Sequence, residues 1–163
     1  MHPNGKGPMP RSVSRREFLA RGAAVAAGAV AIPTLLVAST AIPMVVYKDP
    51  NCGCCVKWVS MMRAAGFEVS VRDTADMQAI KRRYQVPSEL GSCHTAMVAG
   101  FVVEGHVPAD LIARLLKEKP KVLGLAVPGM PVGSPGMEMG AEKDAYDVLT
   151  FDAAGKTAVF ARR

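Results

Sequence analysis

Three thiols crowd into Cys52-Gly53-Cys54-Cys55, where the apolar run Met44-Val45-Val46-Tyr47 gives way to a helix-like run over 56–65. Cys52 and Cys55 stand three apart, so at a helix start their side chains can close a disulfide or converge on one ion. Cys54 points elsewhere unless the loop bends. At such a junction the free N–H groups and the helix dipole favour thiolate, drawing a cysteine pKa from ~8.5 into ~3.5–7.5. Thiolates bind soft metals or exchange disulfides. Further candidate metal donors are Cys93, His94 and His106, with the thioethers of Met130 and Met137 in a Gly/Pro-rich loop over 124–140; His94 also reads as a hydrogen-bonded loop histidine and His106 as a surface turn residue.

Donor softness orders the candidate ions. Thiolate and thioether with one or two imidazoles suit Cu(I) first and Zn(II) second, and a Cys3His set satisfies zinc's tetrahedral habit. The methionines tilt the balance to Cu(I), as one ion or a cluster of several. Met130, Met137 and Met139 also have a plain reading as pliable apolar cover for the core. Trp58, Met61, Met62 and Met77 read as packing, and Asp49, Glu104 and Glu138 as solvated or capping carboxylates. The chain has no Gly-rich phosphate loop, Ser-His-Asp signature or HExxH.

The elements that must hold these residues follow from periodicity. A strand over 44–48 leads to a helix with Cys55, Trp58, Val59 and Met62 inward, stopped at Gly66. Phe67, Val69 and Val71 alternate as a second strand. Asp73, Thr74 and Asp76 offer caps for a helix with Met77, Ile80 and Tyr84 on one face. Strands over 95–98 and 101–104 flank the turn residue Gly100, and a third helix follows, with Pro108 at its first position and Leu111, Ile112, Leu115 and Leu116 inward. A hairpin of 148–151 and 157–160 closes the chain. The order βαβαββα, with Cys52 and Cys55 at the first strand-to-helix turn, resembles the thioredoxin fold, here an α/β domain with an added C-terminal loop and β-hairpin. Thioredoxin-like enzymes place a cis-proline before the third strand, facing that turn. This chain has Ser92-Cys93-His94-Thr95 there, which adds metal ligands where a proline adds none.

Residues 1–41 read as a twin-arginine export signal: Ser14-Arg15-Arg16-Glu17-Phe18-Leu19 precedes an Ala/Gly/Val stretch, with cleavage expected after Ala41. Pro33 and the many small residues make that stretch a poor membrane anchor, so the protein is expected in the periplasm, with no membrane attachment beyond the signal. Lys6, Arg11, Arg15, Arg16 and Arg21 against Glu17 supply +4 of the formal +6. The remaining 42–163 is nearly neutral and poor in aromatics, which argues against a nucleic-acid partner. Four cysteines in an oxidising compartment would ordinarily form a structural disulfide framework, but three crowded thiols make a poor staple.

Four motifs in order carry a resemblance: Lys48-Asp49-Pro50-Asn51-Cys52-Gly53-Cys54-Cys55, then Pro87-Ser88-Glu89-Leu90-Gly91-Ser92-Cys93-His94-Thr95, Glu104-Gly105-His106-Val107-Pro108-Ala109, and 124–138. Together they resemble the periplasmic copper-resistance family of CopG type, long known only as a domain of unknown function. The resemblance implies a thioredoxin-like metal-binding domain over 42–163, export, and Cu(I) held by Cys52, Cys55, Cys93, His94 and His106, with Cys54, Met130 and Met137 as additional candidates. It implies no settled reaction. Partners would be the metal ion and other periplasmic copper-handling proteins. The rival reading is a periplasmic thiol-disulfide oxidoreductase working through Cys52 and Cys55, and a redox interconversion of copper stays open beside it.

Overall fold

Residues that alternate in polarity form the strands, and residues repeating every three or four form the helices, in the computed structural model, which describes residues 41–163. The export signal read over 1–41 lies, but for Ala41, outside them. In β1 (Ile42–Lys48), Met44, Val46 and Lys48 turn inward. Helix α1 (Gly53–Ala64) buries Cys55, Trp58, Val59 and Met62 and ends where the Gly66 N–H reaches the Arg63 carbonyl at 3.0 Å. β2 (Phe67–Asp73) runs parallel to β1. Helix α2 (Met77–Arg83) is capped by Asp76, which accepts the Ala79 N–H at 2.9 Å.

β3 (His94–Val98) lies antiparallel to β1, and β4 (Phe101–Glu104) antiparallel to β3. Helix α3 (Ala109–Glu118) buries Leu111, Ile112 and Leu115, with Leu116 half-buried. Pro108 caps this helix from an extended conformation and is not its first helical residue, a shift of one position from the expectation. β1 through α3 thus reproduce the expected thioredoxin-like order, with strands arranged β2-β1-β3-β4.

The sheet does not stop there. A short strand inside the Gly/Pro-rich stretch, β5 (Gly124–Ala126), pairs parallel to β4. It carries the hairpin of β6 (Asp147–Phe151) and β7 (Thr157–Arg162) onto the same sheet, making seven strands. Gly124 permits this join: a Cβ there would sit 1.9 Å from the Val102 carbonyl oxygen. Sequence periodicity cannot register a strand of three residues, so the reading of 124–140 as loop throughout is corrected.

Successive strand residues feed opposite faces. Met44, Val46, Val103 and Leu125 join α1 and α3 residues in the larger core, whereas Val102, Ala126 and Phe151 join Val86 and Leu90 in a smaller one. Helix α2 departs from its expected apolar face: its one buried residue is Lys81, while Met77, Ile80 and the following Tyr84 are half-buried. Met62 is core as expected, but Met61 is exposed and Met77 only half-covered. Among the described residues no helix is long and apolar enough to cross a membrane.

Candidate metal centre

The loop between β1 and α1 is held from below by a buried lysine. Lys48 Nζ donates to the carbonyls of Asp49 at 3.0 Å and Pro50 at 3.4 Å and pairs with Asp73 at 2.9 Å. Asp49 also accepts the Asn51 N–H at 2.8 Å, closing an Asx turn, and its carbonyl accepts the Cys52 N–H at 3.1 Å. Cys52 therefore arrives as the N-cap of α1, and Cys55, one turn on, faces it. The two are joined as a disulfide, with Cα atoms 5.4 Å apart. Cys54 and Cys93 are free.

The bend left open for Cys54 is present. Its sulfur lies 3.4 Å from Cys52 Sγ and 3.8 Å from Cys93 Sγ, so Cys54 faces the thiol cluster and not away from it. The strand pairing that sets Lys48 opposite His94 brings Cys93 up to the α1 turn. From Cys93 the site continues into two imidazoles. His106 Nε2 lies 2.9 Å and His94 Nδ1 3.4 Å from Cys93 Sγ, and the two rings meet edge to face with centroids 5.0 Å apart. Two donor groups result, Cys52/Cys54/Cys55/Cys93 and Cys93/His94/His106, each with its ligand atoms within 4.8 Å of one another. Cys93 belongs to both.

Hydrogen bonding sets the imidazole tautomers. A carbonyl oxygen can only accept, so the 2.8 Å contact from His106 Nδ1 to the Pro135 carbonyl places the proton on Nδ1 and leaves Nε2 as a lone pair toward Cys93. This is the outer-shell arrangement that orients metal-binding histidines. The Cys93 S–H then donates to His106, and His94 Nδ1–H donates to the Cys93 sulfur. His94 Nε2 is left buried with no partner, a state that costs ~1–3 kcal/mol when nothing compensates it. For His94 to ligate through the Nδ1 that faces Cys93, its proton must move to Nε2. His94 is wholly buried, with its ring 4.3 Å from that of Trp58, whose indole N–H donates to the Val107 carbonyl at 3.0 Å.

Burial governs the protonation states. It pushes the His94 imidazole well below its usual value, with His106 and Lys81 adding to the effect. Burial also lowers His106, against the opposing pull of the Pro135 carbonyl and Glu138. Both rings are therefore held neutral, the form that ligates metals. The helix-start argument for thiolate does not extend to Cys93, whose thiol is pushed up to about 12 by burial first and by the neighbouring Cys54 next. An ion entering here must displace that proton.

The stretch after β5 lies directly on this site. A Cβ on Gly136, at φ +88°, would come 2.9 Å from the Cys54 carbonyl oxygen and 3.0 Å from Trp58 N. Of its methionines, Met130 is 52% exposed and Met137 half-buried. Asp49 and Glu138 cap backbone N–H groups as expected, Glu138 accepting from Gly136 at 3.0 Å. The expectation for Glu104 is corrected: it is fully buried and binds Lys81, Thr95 and the Ser92 N–H. Sequence reading missed this group, although a glutamate ending the apolar run Phe101-Val102-Val103 was the available signal.

Chemically, the arrangement can ligate a thiophilic cation through sulfur and neutral nitrogen, or exchange disulfides at Cys52 and Cys55. Comparison with known proteins bears on the choice. No curated protein matches the chain. The family described as "Protein of unknown function, DUF411" matches residues 90–137, which include Cys93, His94 and His106. Two solved structures, "Copper resistance protein copG- Form 2" and "Copper resistance protein copG- Form 1", are 47% and 48% identical to it, each aligning 76% of this chain with 98% of its own at a TM-score of 0.72. Identity of that extent across nearly the whole of both structures shows that this chain belongs to the CopG copper-resistance family.

Proposed function

We propose that the protein is an exported Cu(I)-binding protein that buffers or hands on copper in copper resistance. The observation that carries this reading is the position of Cys93, whose sulfur is shared between the thiols of α1 and two buried neutral imidazoles. Thiolate with imidazole is a soft donor set that prefers Cu(I), with Zn(II) the competing ion. The names of the two similar structures support copper. Cys93, His94, His106 and Cys54 ligate in either redox state of the α1 turn, and reduction of the Cys52–Cys55 disulfide adds two thiolates. Met130 or Met137, on the loop that Gly136 seats against α1, would be an additional thioether ligand. Exchange with an external disulfide would pass two electrons from the Cys52 and Cys55 thiolates to that partner, leaving it as two thiolates and removing two ligands here, so redox state and metal occupancy are coupled. The Arg15-Arg16 motif supports delivery to the periplasm, where other copper-handling proteins would be donor and acceptor.

The test is anaerobic titration of the reduced protein with Cu(I) against a chromophoric chelator. Stoichiometric uptake is expected, and Cys93→Ser should weaken it by more than the ~10–100-fold that loss of an outer-shell partner costs. Absence of uptake by the native protein would overturn the reading. One observation favours a second reading: Cys54 Sγ stands 3.4 Å from a disulfide sulfur, as a thiol poised for exchange would. Brisk insulin reduction with no copper uptake would establish that oxidoreductase instead.

A further inference from the structure

Neither the thiols nor the imidazoles account for Glu104, a carboxylate buried without exposure at the end of β4, two residues before His106. Its register partner is Thr95, and alternation puts both on the sheet face opposite His94. On that face Lys81 of α2 pairs with Glu104 Oε1, and the Thr95 hydroxyl donates to Oε2 at 2.6 Å. The Ser92 N–H donates to Oε1 at 2.7 Å. Ser92 directly precedes Cys93. The main chain adds two further ties: the Glu104 carbonyl accepts the Val127 N–H at 3.0 Å, and the Gly105 N–H donates to the His94 carbonyl at 2.9 Å.

Glu104 thus holds the Cys93 loop by its side chain, holds the chain just past β5 by its carbonyl, and is itself two residues from the second imidazole. A buried ion pair is a poor source of net stability, because taking both charges out of water costs about what their attraction returns. Its effect here is geometric. Without an acceptor for the Ser92 N–H, the loop keeps the Ser92 hydroxyl's bond to the Gly129 carbonyl but loses its main-chain tie at the residue next to Cys93.

We infer that Glu104, neutralised by Lys81, is a positioning residue that sets the approach of the Cys93 sulfur to the His94 and His106 nitrogens and thereby the affinity of the centre for its ion. The inference rests on the Cu(I)-binding reading. Because Glu104 lies across the sheet from the donors, it ligates nothing and acts only through the main chain it holds.

The experiment compares two paired variants that avoid stranding a lone charge. K81M/E104L replaces the ion pair by apolar side chains and leaves the Ser92 N–H without an acceptor. K81M/E104Q is equally uncharged but keeps a carbonyl oxygen in reach. Cu(I) affinity is read by chelator competition, and the nitrogen contribution by X-ray absorption at the copper edge. K81M/E104L should lose at least ~10-fold in affinity together with part of its nitrogen signal, and K81M/E104Q should recover to within ~3-fold of native. Native affinity and spectrum in K81M/E104L would overturn the assignment, as would an equal loss in both variants. Should K81M/E104L fail to fold, Glu104→Asp draws the acceptor back by one methylene while keeping the charge; unchanged affinity there would overturn it too. A native protein that takes up no Cu(I) sinks the functional reading and this inference together, whereas a native binder with indifferent variants sinks the inference alone.

Discussion

At the scale of single residues, the centre combines groups held in the forms a soft cation needs with one that must change. Both histidines are neutral because their burial disfavours the imidazolium, and the Pro135 carbonyl aims one lone pair of His106 at the sulfur. Cys93 is the group that must change, since its thiol is pushed up to about 12 and is protonated at neutral pH. The sign gives a direct test. A group with a raised pKa loses its proton only as pH climbs toward that value, so iodoacetamide should label Cys93 in the metal-free protein at pH 8 at least ~100-fold more slowly than an unperturbed cysteine of pKa ~8.5. The rate should keep rising through pH 10. Peptide mass mapping over a pH series reads it, and labelling as fast as a free cysteine with a plateau near pH 9 would contradict the burial argument. Proton release on Cu(I) loading follows from the same thiol.

At the scale of elements, the turn before α1, the loop before β3 and the stretch after β5 converge, and each is held by a separate contact. Lys48 clamps the first, Glu104 the second, and the third rests on the first turn of α1 through Gly136. Substituting Gly136→Ala adds a methyl 2.9 Å from the Cys54 carbonyl at a backbone angle that side chains resist, so the loop must lift. A loss of ~1–3 kcal/mol is expected, with weaker Cu(I) binding as Pro135 moves away from His106. Asp152→Ala is the matching control: losing the acceptor of the Ala154 and Lys156 N–H groups in the β6–β7 turn costs ~1 kcal/mol, yet Cu(I) affinity should stay native because that turn bears neither the donors nor the Lys81–Glu104 pair. Urea denaturation and chelator competition on both variants separate the effects. Equal binding defects would mean that overall stability, and not loop placement, governs the centre.

At the scale of the whole molecule, the proposed twin-arginine export would require the domain to fold before it crosses the membrane, because that route carries proteins already folded. Replacing Arg15 and Arg16 by lysine should leave the protein in the cytoplasm at its precursor size, which cell fractionation and immunoblotting would show; periplasmic protein from that variant would refute the proposed route. Much of the domain was legible in its sequence. Apolar alternation and three-to-four spacing located β1 to β4, the three helices and the closing hairpin, because those patterns report which side of an element is dry, except in α2, whose buried residue is Lys81. Residue chemistry made Cys52, Cys55, Cys93, His94 and His106 candidates, since softness and spacing are properties of the letters, and the family resemblance joined them into one ligand set. Three features were not legible. β5 is too short to show a period, and its pairing rests on the close approach that Gly124 allows to β4. Cys54 faces Cys93 only because strand register brings two loops 39 residues apart into contact. The Lys81–Glu104 pair is equally long-range: a glutamate ending an apolar run hints at burial, but its cation comes from α2, which packs on β1 and β3 beside β4. Local pattern determined which residues could form a dry face or bind an ion; only the tertiary fold, by closing distances between remote segments and removing water from between them, decided which of them meet and in what protonation state.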